Sequence, residues 1–220
     1  MLLKKQRHHI TIKLTTAALL GAIAIGSASL ITPALANGAQ TCGQYGAPDL
    51  FVKDVGAKVI NIITNKRVSS EQSAEQFRGI LHSAFDVKYI ARFVLGRNWN
   101  QANETQRAEY NRLFEEMLLD MYQVRFQNYS GESLIVDNAK VVSDTDSIVY
   151  GKIQKTDGSP PVNLEWRVRE KESSCRIIDM LVEGVSMSLT HRSEFNSIIQ
   201  QKNKGIDGLL QELRTKYANN

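Results

Sequence analysis

The spacing of apolar residues along this chain changes in its middle, close to Gly131. Before that point apolar residues recur every three or four positions, the period of a helix buried on one side. After it, residues 147–153 and 162–169 follow the period of two that is typical of strands with one buried face. The last segment, beyond residue 193, returns to the helical period. Helices, then neighbouring strands, then further helices predict an α+β fold.

Several helices are predicted in the first half of the chain. Pro48 favours the start of the first, whose valine and isoleucine residues fall on one face. A second, shorter helix is predicted over 73–85, after a polar connector. Asp86 has the position of an N-cap for a helix over 87–95, and Gly96 has the position of the residue that ends it.

The longest helix is predicted to follow Asn103, which has capping-box spacing with Gln106. Its apolar stripe is wide and comprises Tyr110, Leu113, Phe114, Met117, Leu118, Met121 and Tyr122. The charges on its opposite face, Glu115 and Glu116 among them, are interpreted as solvated rather than catalytic. We expect the sheet that follows to curve over this helix.

The strands are predicted to form an antiparallel meander. Turn residues at 157–160 and 171–174 separate them, and the last strand begins at Cys175. The prediction is therefore a curved antiparallel sheet of three to four strands wrapped by helices, with a small helical lobe. In a single domain over 37–220, the helical part spans about 48–129, the sheet about 134–186 and the C-terminal helices about 193–217.

The first 36 residues indicate an export signal. Four basic residues precede or adjoin the apolar stretch 14–31, and Ala34-Leu35-Ala36 has the A-x-A pattern of a cleavage site. Cleavage would leave a mature chain from Asn37, outside the cytoplasm; the alternative is an uncleaved anchor. Removing residues 1–36 takes away four of the 27 basic residues and none of the 23 acidic ones, leaving 23 of each. A formally neutral chain lacks the strong positive charge expected of a nucleic-acid binder.

The chain has two cysteines, Cys42 and Cys175. Disulfides persist outside the cytoplasm, so the two are candidates for a bond that would tie the mature N-terminus to the last strand. Two unrelated thiols remain the alternative at this point, because geometry decides pairing and the sequence does not contain it.

Motifs for catalysis, phosphate loops or metal binding are absent from the sequence. His191 lies near Asp179 and Glu183 in sequence, which could suggest an acid/base site. We interpret it instead as a solvent-facing or helix-capping histidine, since no nucleophile or second base completes an arrangement. The sequence therefore predicts a protein without catalytic residues, metal or cofactor.

Four separated motifs resemble one family, the MlaC or toluene-tolerance auxiliary proteins. They are LGRNWNQA (95–102), DMLVEGVS (179–186), HRSEF (191–195) and GIDGLL (205–210), with Gln106, Tyr110, Phe114 and Tyr122 between the first two. Members of this family are periplasmic phospholipid-binding proteins. Cys175 departs from the pattern, because the family tends to have tryptophan at the start of the last strand.

The resemblance implies a monomeric carrier that holds phospholipid acyl chains between a curved sheet and helices. Its partners would be an outer-membrane lipoprotein-porin complex and an inner-membrane ABC transporter with a lipid-binding ring protein, in a pathway that maintains outer-membrane lipid asymmetry. The expected acyl-chain lining comprises Leu113, Met117, Met121, Leu164, Trp166, Val168, Ile178, Met180 and Val182. Arg97 and Arg192 are the candidates for contact with the headgroup or a partner.

Two other functions are compatible with the sequence. One is an exported enzyme on an NTF2-like, cone-shaped α+β scaffold with Asp179, Glu183 or His191 as acid/base groups, because such scaffolds host many functions. The other is a carrier of a different apolar ligand, such as a solvent, sterol or isoprenoid. The residues expected to line a lipid cavity would also suit an ordinary closed core.

Overall fold

Six α-helices, two short 3-10 helices and five strands lie in the part of the chain that a computed structural model describes, residues 42–127, 129–201 and 205–217. The export signal predicted over residues 1–36 lies outside these residues. The helices are α1 (Pro48–Thr64), α2 (Ser70–Ala84), α3 (Val87–Leu95), α4 (Glu104–Gln127), α5 (Met187–Gln201) and α6 (Gly205–Tyr217). The strands are β1 (Ser133–Val141), β2 (Asp146–Gln154), β3 (Val162–Lys171), β4 (Ser174–Val182) and β5 (Val185–Ser186).

Local capping fixes the starts of α2 and α3. The Asp86 carboxylate accepts a hydrogen bond from the Tyr89 amide at 3.0 Å, which confirms the predicted N-cap. The predicted start of α2 at residue 73 is wrong. Ser69 and Gln72 form a reciprocal capping box at 3.2 and 3.0 Å, so the helix begins at Ser70, inside the segment interpreted as a connector.

The long helix α4 begins as predicted. Asn103 and Gln106 exchange side-chain to backbone hydrogen bonds at 2.9 and 3.0 Å. Its acidic face is not simply solvated, however, because the Arg78 guanidinium of α2 pairs with both Glu115 and Glu116. Burial raises the pKa of Glu115, but hydrogen bonds from His82 and Arg78 outweigh burial and leave that pKa below its ordinary value. These contacts hold α2 against α4.

The five strands form one antiparallel sheet in the order β1-β2-β3-β4-β5, which confirms the meander and the α+β class. The sheet has one strand more than the upper bound of the prediction, and that strand, β5, is only two residues long. It leads directly into α5, which begins at Met187 and not near residue 193 as predicted.

Two large apolar cores both contact Phe85, as does a small third cluster of Phe77, Leu81 and Leu119. In one, which we call the helical core, α3, α4, α5 and α6 pack on each other. In the other, α1 and the end of α2 cover one face of β2, β3 and β4. The expectation that the sheet curves over the longest helix is therefore wrong, because α1 occupies that position and the described residues of α4 contribute none of this second core.

A β-bulge in β4 determines which of its side chains face α1. Trp166 pairs with Met180 and Val168 pairs with Ile177, so Ile178 is an extra residue on the β4 side. Because of this extra residue, Ile177 and Met180 both belong to the core under α1, although they are three positions apart. Ile178 is buried but lies outside that core.

Candidate functional site

The face of the sheet that α1 covers combines buried side chains from helices and strands, and we call it the α1-covered face. Its buried members are Cys42, Phe51, Val52, Val55 and Ile62 before and within α1, Ile80 and Ala84 of α2, and Val149, Leu164, Trp166, Val168, Cys175 and Ile177 of the strands. All but the two cysteines are hydrocarbon or aromatic side chains, so the face offers an apolar environment with few polar groups.

Burial along the α1-covered face is graded from one end of the sheet to the other. Val168 is 0% exposed near one end, whereas Trp166 and Leu164 are 6% and 7% exposed further along β3. Val162 at the start of β3 is only half-buried, as are Met180 and Val182 of β4, which pair with Trp166 and Leu164. All three pack against the same core. We call this less covered part, where β2 and β4 end and β3 begins, the half-buried end.

A disulfide between Cys42 and Cys175 closes the opposite end. Cys175 pairs with Glu170 in the sheet, and Cys42 directly precedes a short 3-10 turn, Gly43–Tyr45, that leads to α1. The two cysteines are both 2% exposed. The start of α1 is therefore fixed covalently to β4, and no such bond fixes α1 at the half-buried end in the described residues.

Five of the nine residues predicted to line a lipid cavity come together on the α1-covered face. They are Leu164, Trp166, Val168, Met180 and Val182. The other four do not join them. Leu113 and Met117 lie in the helical core, Met121 is 39% exposed on α4, and Ile178 is displaced by the bulge.

The sequence interpretation missed the contribution of α1. Its stripe of valine and isoleucine residues is visible in the sequence, but amphipathicity shows only which side of a helix is buried and not which partner buries it. Ile177 was also missed. In an apolar pair such as Ile177-Ile178, composition does not reveal which residue is the extra one in a bulge.

A second feature is a polar pocket of about 410 Å³ between the turn after α3 and the first turns of α5. It is lined by Leu95, Arg97, Asn98, Leu189, Arg192, Ser193 and Asn196. The structure thus brings together the two arginines that were predicted to contact a headgroup or a partner. We call this the arginine pocket. β5 pairs with Leu181 and Val182 and runs directly into α5. The α5 residues of the pocket therefore come within ten residues of the half-buried end along the chain.

The three candidate acid/base residues are engaged in separate structural contacts. Asp179 accepts hydrogen bonds from the Met180 and Ser188 amides and from the Ser186 hydroxyl, at 2.9, 3.1 and 2.6 Å, which fixes the start of α5. Glu183 accepts one from the Asn163 amide at 2.6 Å. The arrangement of these groups in the structure does not favour an acid/base site.

His191, the third candidate, contacts Glu194 one turn along α5 at 3.1 Å. Among the described residues, no group of three or more His, Cys, Asp or Glu side chains is arranged to hold a metal ion. None of the helices in these residues has the length and apolarity needed to cross a bilayer.

Comparisons with known proteins agree with this architecture. A solved structure of the phospholipid-binding protein from Ralstonia solanacearum, in complex with a phospholipid, superposes with a TM-score of 0.66 at 22% identity, covering 77% of this chain and 96% of that one. The intermembrane phospholipid transport system binding protein MlaC of Haemophilus influenzae is 22% identical over 175 residues, 76% of this chain and 81% of the relative. The sequence model of the MlaC protein family matches residues 53–215. The chain belongs to the MlaC family.

Proposed function

We propose that this protein is a phospholipid carrier, and that the acyl chains of the bound lipid insert between α1 and the sheet. The observation that carries the proposal is the graded α1-covered face, fixed by a disulfide at one end and half-buried at the other. Movement of α1 away from the sheet at the half-buried end, where Met180 and Val182 lie, would admit an acyl chain without exposing the buried residues near Cys175. The names of the two relatives, one a phospholipid transport protein and one a phospholipid-binding protein, support the ligand class.

The energy of transfer sets what such a carrier must provide. Burying a methylene is worth ~0.8 kcal/mol. Transfer of a lipid with roughly thirty methylenes from a bilayer into water would therefore cost ~24 kcal/mol of free energy. A carrier must supply a comparable apolar surface. It must also release its cargo, which requires that binding be close in free energy to residence in a bilayer.

We further propose that the protein acts in the periplasm and without catalysis. The export signal predicted over residues 1–36 supports this location. In the pathway implied by the resemblance, a monomer would exchange phospholipid between an outer-membrane lipoprotein-porin complex and an inner-membrane ABC transporter with a lipid-binding ring, and so maintain outer-membrane lipid asymmetry. The docked partner would set the direction of transfer.

The direct experiment is extraction of the protein, purified from the periplasm, with organic solvent, followed by lipid mass spectrometry. We expect about one phospholipid per chain. Folded protein that is repeatedly free of lipid would contradict the proposal. If a sterol, an isoprenoid or a solvent were extracted in place of phospholipid, the protein would still be a carrier, but of a different class of ligand.

Substitutions at the half-buried end test the location of the acyl chains. We expect Met180→Glu and Val182→Glu to reduce the phospholipid retained after gel filtration, because an acyl chain would desolvate the new carboxylate. Ile135→Glu is the matched control, since Ile135 lies on β1 at the same end of the sheet, is 38% exposed and is outside the core under α1. Unchanged retention in Met180→Glu and Val182→Glu, with wild-type circular dichroism, would exclude this face.

A further inference from the structure

The arginine pocket contains a guanidinium whose position is fixed by its neighbours. Arg192 lies over the ring of Phe93, with its Cζ atom 5.2 Å from the ring centroid. It also lies against the backbone of Gly96, where a Cβ atom would come within 3.0 Å of the guanidinium. Gly96 has a φ of +58°, a conformation that L side chains rarely adopt, so both its backbone and its missing side chain suit this contact.

The positive charge of the pocket is not neutralised within the described structure. Neither Arg97 nor Arg192 lies within 4.0 Å of a carboxylate of any described residue. Glu194, next to the pocket on α5, contacts His191 instead. Two guanidinium groups that share one cavity repel each other, and a bound anion would relieve that repulsion.

Three of the five other lining residues are polar and suit an oxyanion, and the other two are Leu95 and Leu189. Ser193 and Asn196 provide neutral hydrogen-bonding groups, and the Asn98 amide is held in place by a hydrogen bond to the Leu95 carbonyl at 3.3 Å. Arginine presents several N–H donors in a planar fork that matches the oxygens of a phosphate. A cavity of about 410 Å³ has room for a phosphate with a small ester substituent.

We propose that the arginine pocket binds a phosphate group through Arg97 and Arg192, either as the headgroup phosphate of a phospholipid or as free phosphate. The headgroup case rests on the proposed function, since the acyl chains would then occupy the α1-covered face. The chain path favours it, because Val182 at the half-buried end is followed within ten residues by Arg192. The pocket would then recognise the phosphate that all common phospholipids share, and not the group esterified to it.

The test compares two lipids with the same acyl chains in the delipidated protein. Dioleoyl-phosphatidylglycerol carries the phosphate and dioleoylglycerol lacks it, and retained lipid is measured by mass spectrometry after gel filtration. Inorganic phosphate is titrated in parallel by NMR. The variants are Arg97→Gln, Arg192→Gln and, as matched control, Arg67→Gln, since Arg67 is exposed in the α1–α2 connection and outside the pocket.

For a headgroup site, we expect each pocket variant to weaken phosphatidylglycerol binding by about tenfold, the effect of losing a charge-assisted hydrogen bond. Dioleoylglycerol binding should not change, and Arg67→Gln should behave as wild type. For a free-phosphate site, the pocket variants would lose the phosphate-induced NMR shifts at these residues while binding both lipids normally. Either result supports a phosphate site.

Wild-type affinity for both phosphatidylglycerol and inorganic phosphate in the pocket variants would overturn the inference. The inference would also be overturned if the wild-type protein showed no phosphate-induced NMR shifts and bound phosphatidylglycerol and dioleoylglycerol with equal affinity. If the wild-type protein bound neither lipid, the proposed carrier function would fail. The phosphate titration would still decide whether the arginine pocket binds its anion, so the two failures are distinguishable.

Discussion

Breaking the disulfide between Cys42 and Cys175 is expected to lower the free energy of unfolding by about 5 kcal/mol. The bond joins residues 133 positions apart, and loop-closure entropy in the unfolded chain grows with the logarithm of that separation. Since domains are typically stable by only about 5–15 kcal/mol, this loss is a large part of the whole. The cause lies in the unfolded state, because an intact bond restricts the conformations available to it.

Urea unfolding followed by circular dichroism measures the effect. With a slope of about 2 kcal/mol per molar urea, the midpoint should fall by about 2.5 M. Two perturbations are compared, the wild-type protein under reducing conditions and the double variant Cys42→Ala/Cys175→Ala. The reduced protein keeps both buried sulfur atoms, so it separates loop entropy from lost packing.

Packing loss in the same core is calibrated by Val149→Ala, which removes methyl groups from a side chain that is 0% exposed and leaves the disulfide intact. The reasoning would be refuted if both the reduced protein and the double variant lost less than about 1 kcal/mol with an unchanged slope. A large loss in the double variant alone would indicate that the sulfur atoms act through packing and not through the link.

Two further predictions concern the sheet. Asp146→Asn should cost about 2 kcal/mol at neutral pH, because the Asp146 carboxylate accepts two hydrogen bonds from Arg169 at 2.8 and 2.9 Å in a partly screened site. Those bonds lower the pKa of Asp146, so its contribution is complete above about pH 4 and is lost as the pH falls through the lowered pKa; urea midpoints of variant and wild type should converge there. Gly151→Ala should destabilise by about 2 kcal/mol, since its Cβ would clash with the Ile135 carbonyl oxygen. Gly79→Ala, in open space on α2, should stabilise by about 0.5–1 kcal/mol in the same assay. Equal effects of the two glycine substitutions would contradict this steric account.

Features that depend on a few neighbouring residues could be predicted from the sequence. The Asp86 cap, the capping box of Asn103 with Gln106 and the alternation of β3 are all settled by chemistry within a few positions. The start of α2 depends on the same kind of signal, Ser69 with Gln72, but these residues lie in a polar segment that was interpreted as a connector. Polar composition masked a capping motif that was present.

Features that depend on distant partners could not be predicted in the same way. Both α1 and α4 carry wide apolar stripes, and only the tertiary structure assigns the sheet to α1. Likewise, Arg97 and Arg192 line one pocket only because α5 packs against α3. Their positions in the sequence made these two residues candidates, but the pocket between them arises from contacts across almost one hundred positions of sequence.

The bulge at Ile178 limits how the length of this chain can vary. Side chains alternate between the two faces of a regular strand, so two residues share a face when an odd number of residues lies between them. Here four residues separate them, and the extra one in the bulge restores the common face. After deletion of a single residue from 176–179, Cys175 and Met180 would still share a face only if the bulge were lost as well. A relative without the bulge should therefore differ in length by one residue between these positions, and we expect insertions and deletions in β4 to be accepted during evolution only together with a change in its pairing.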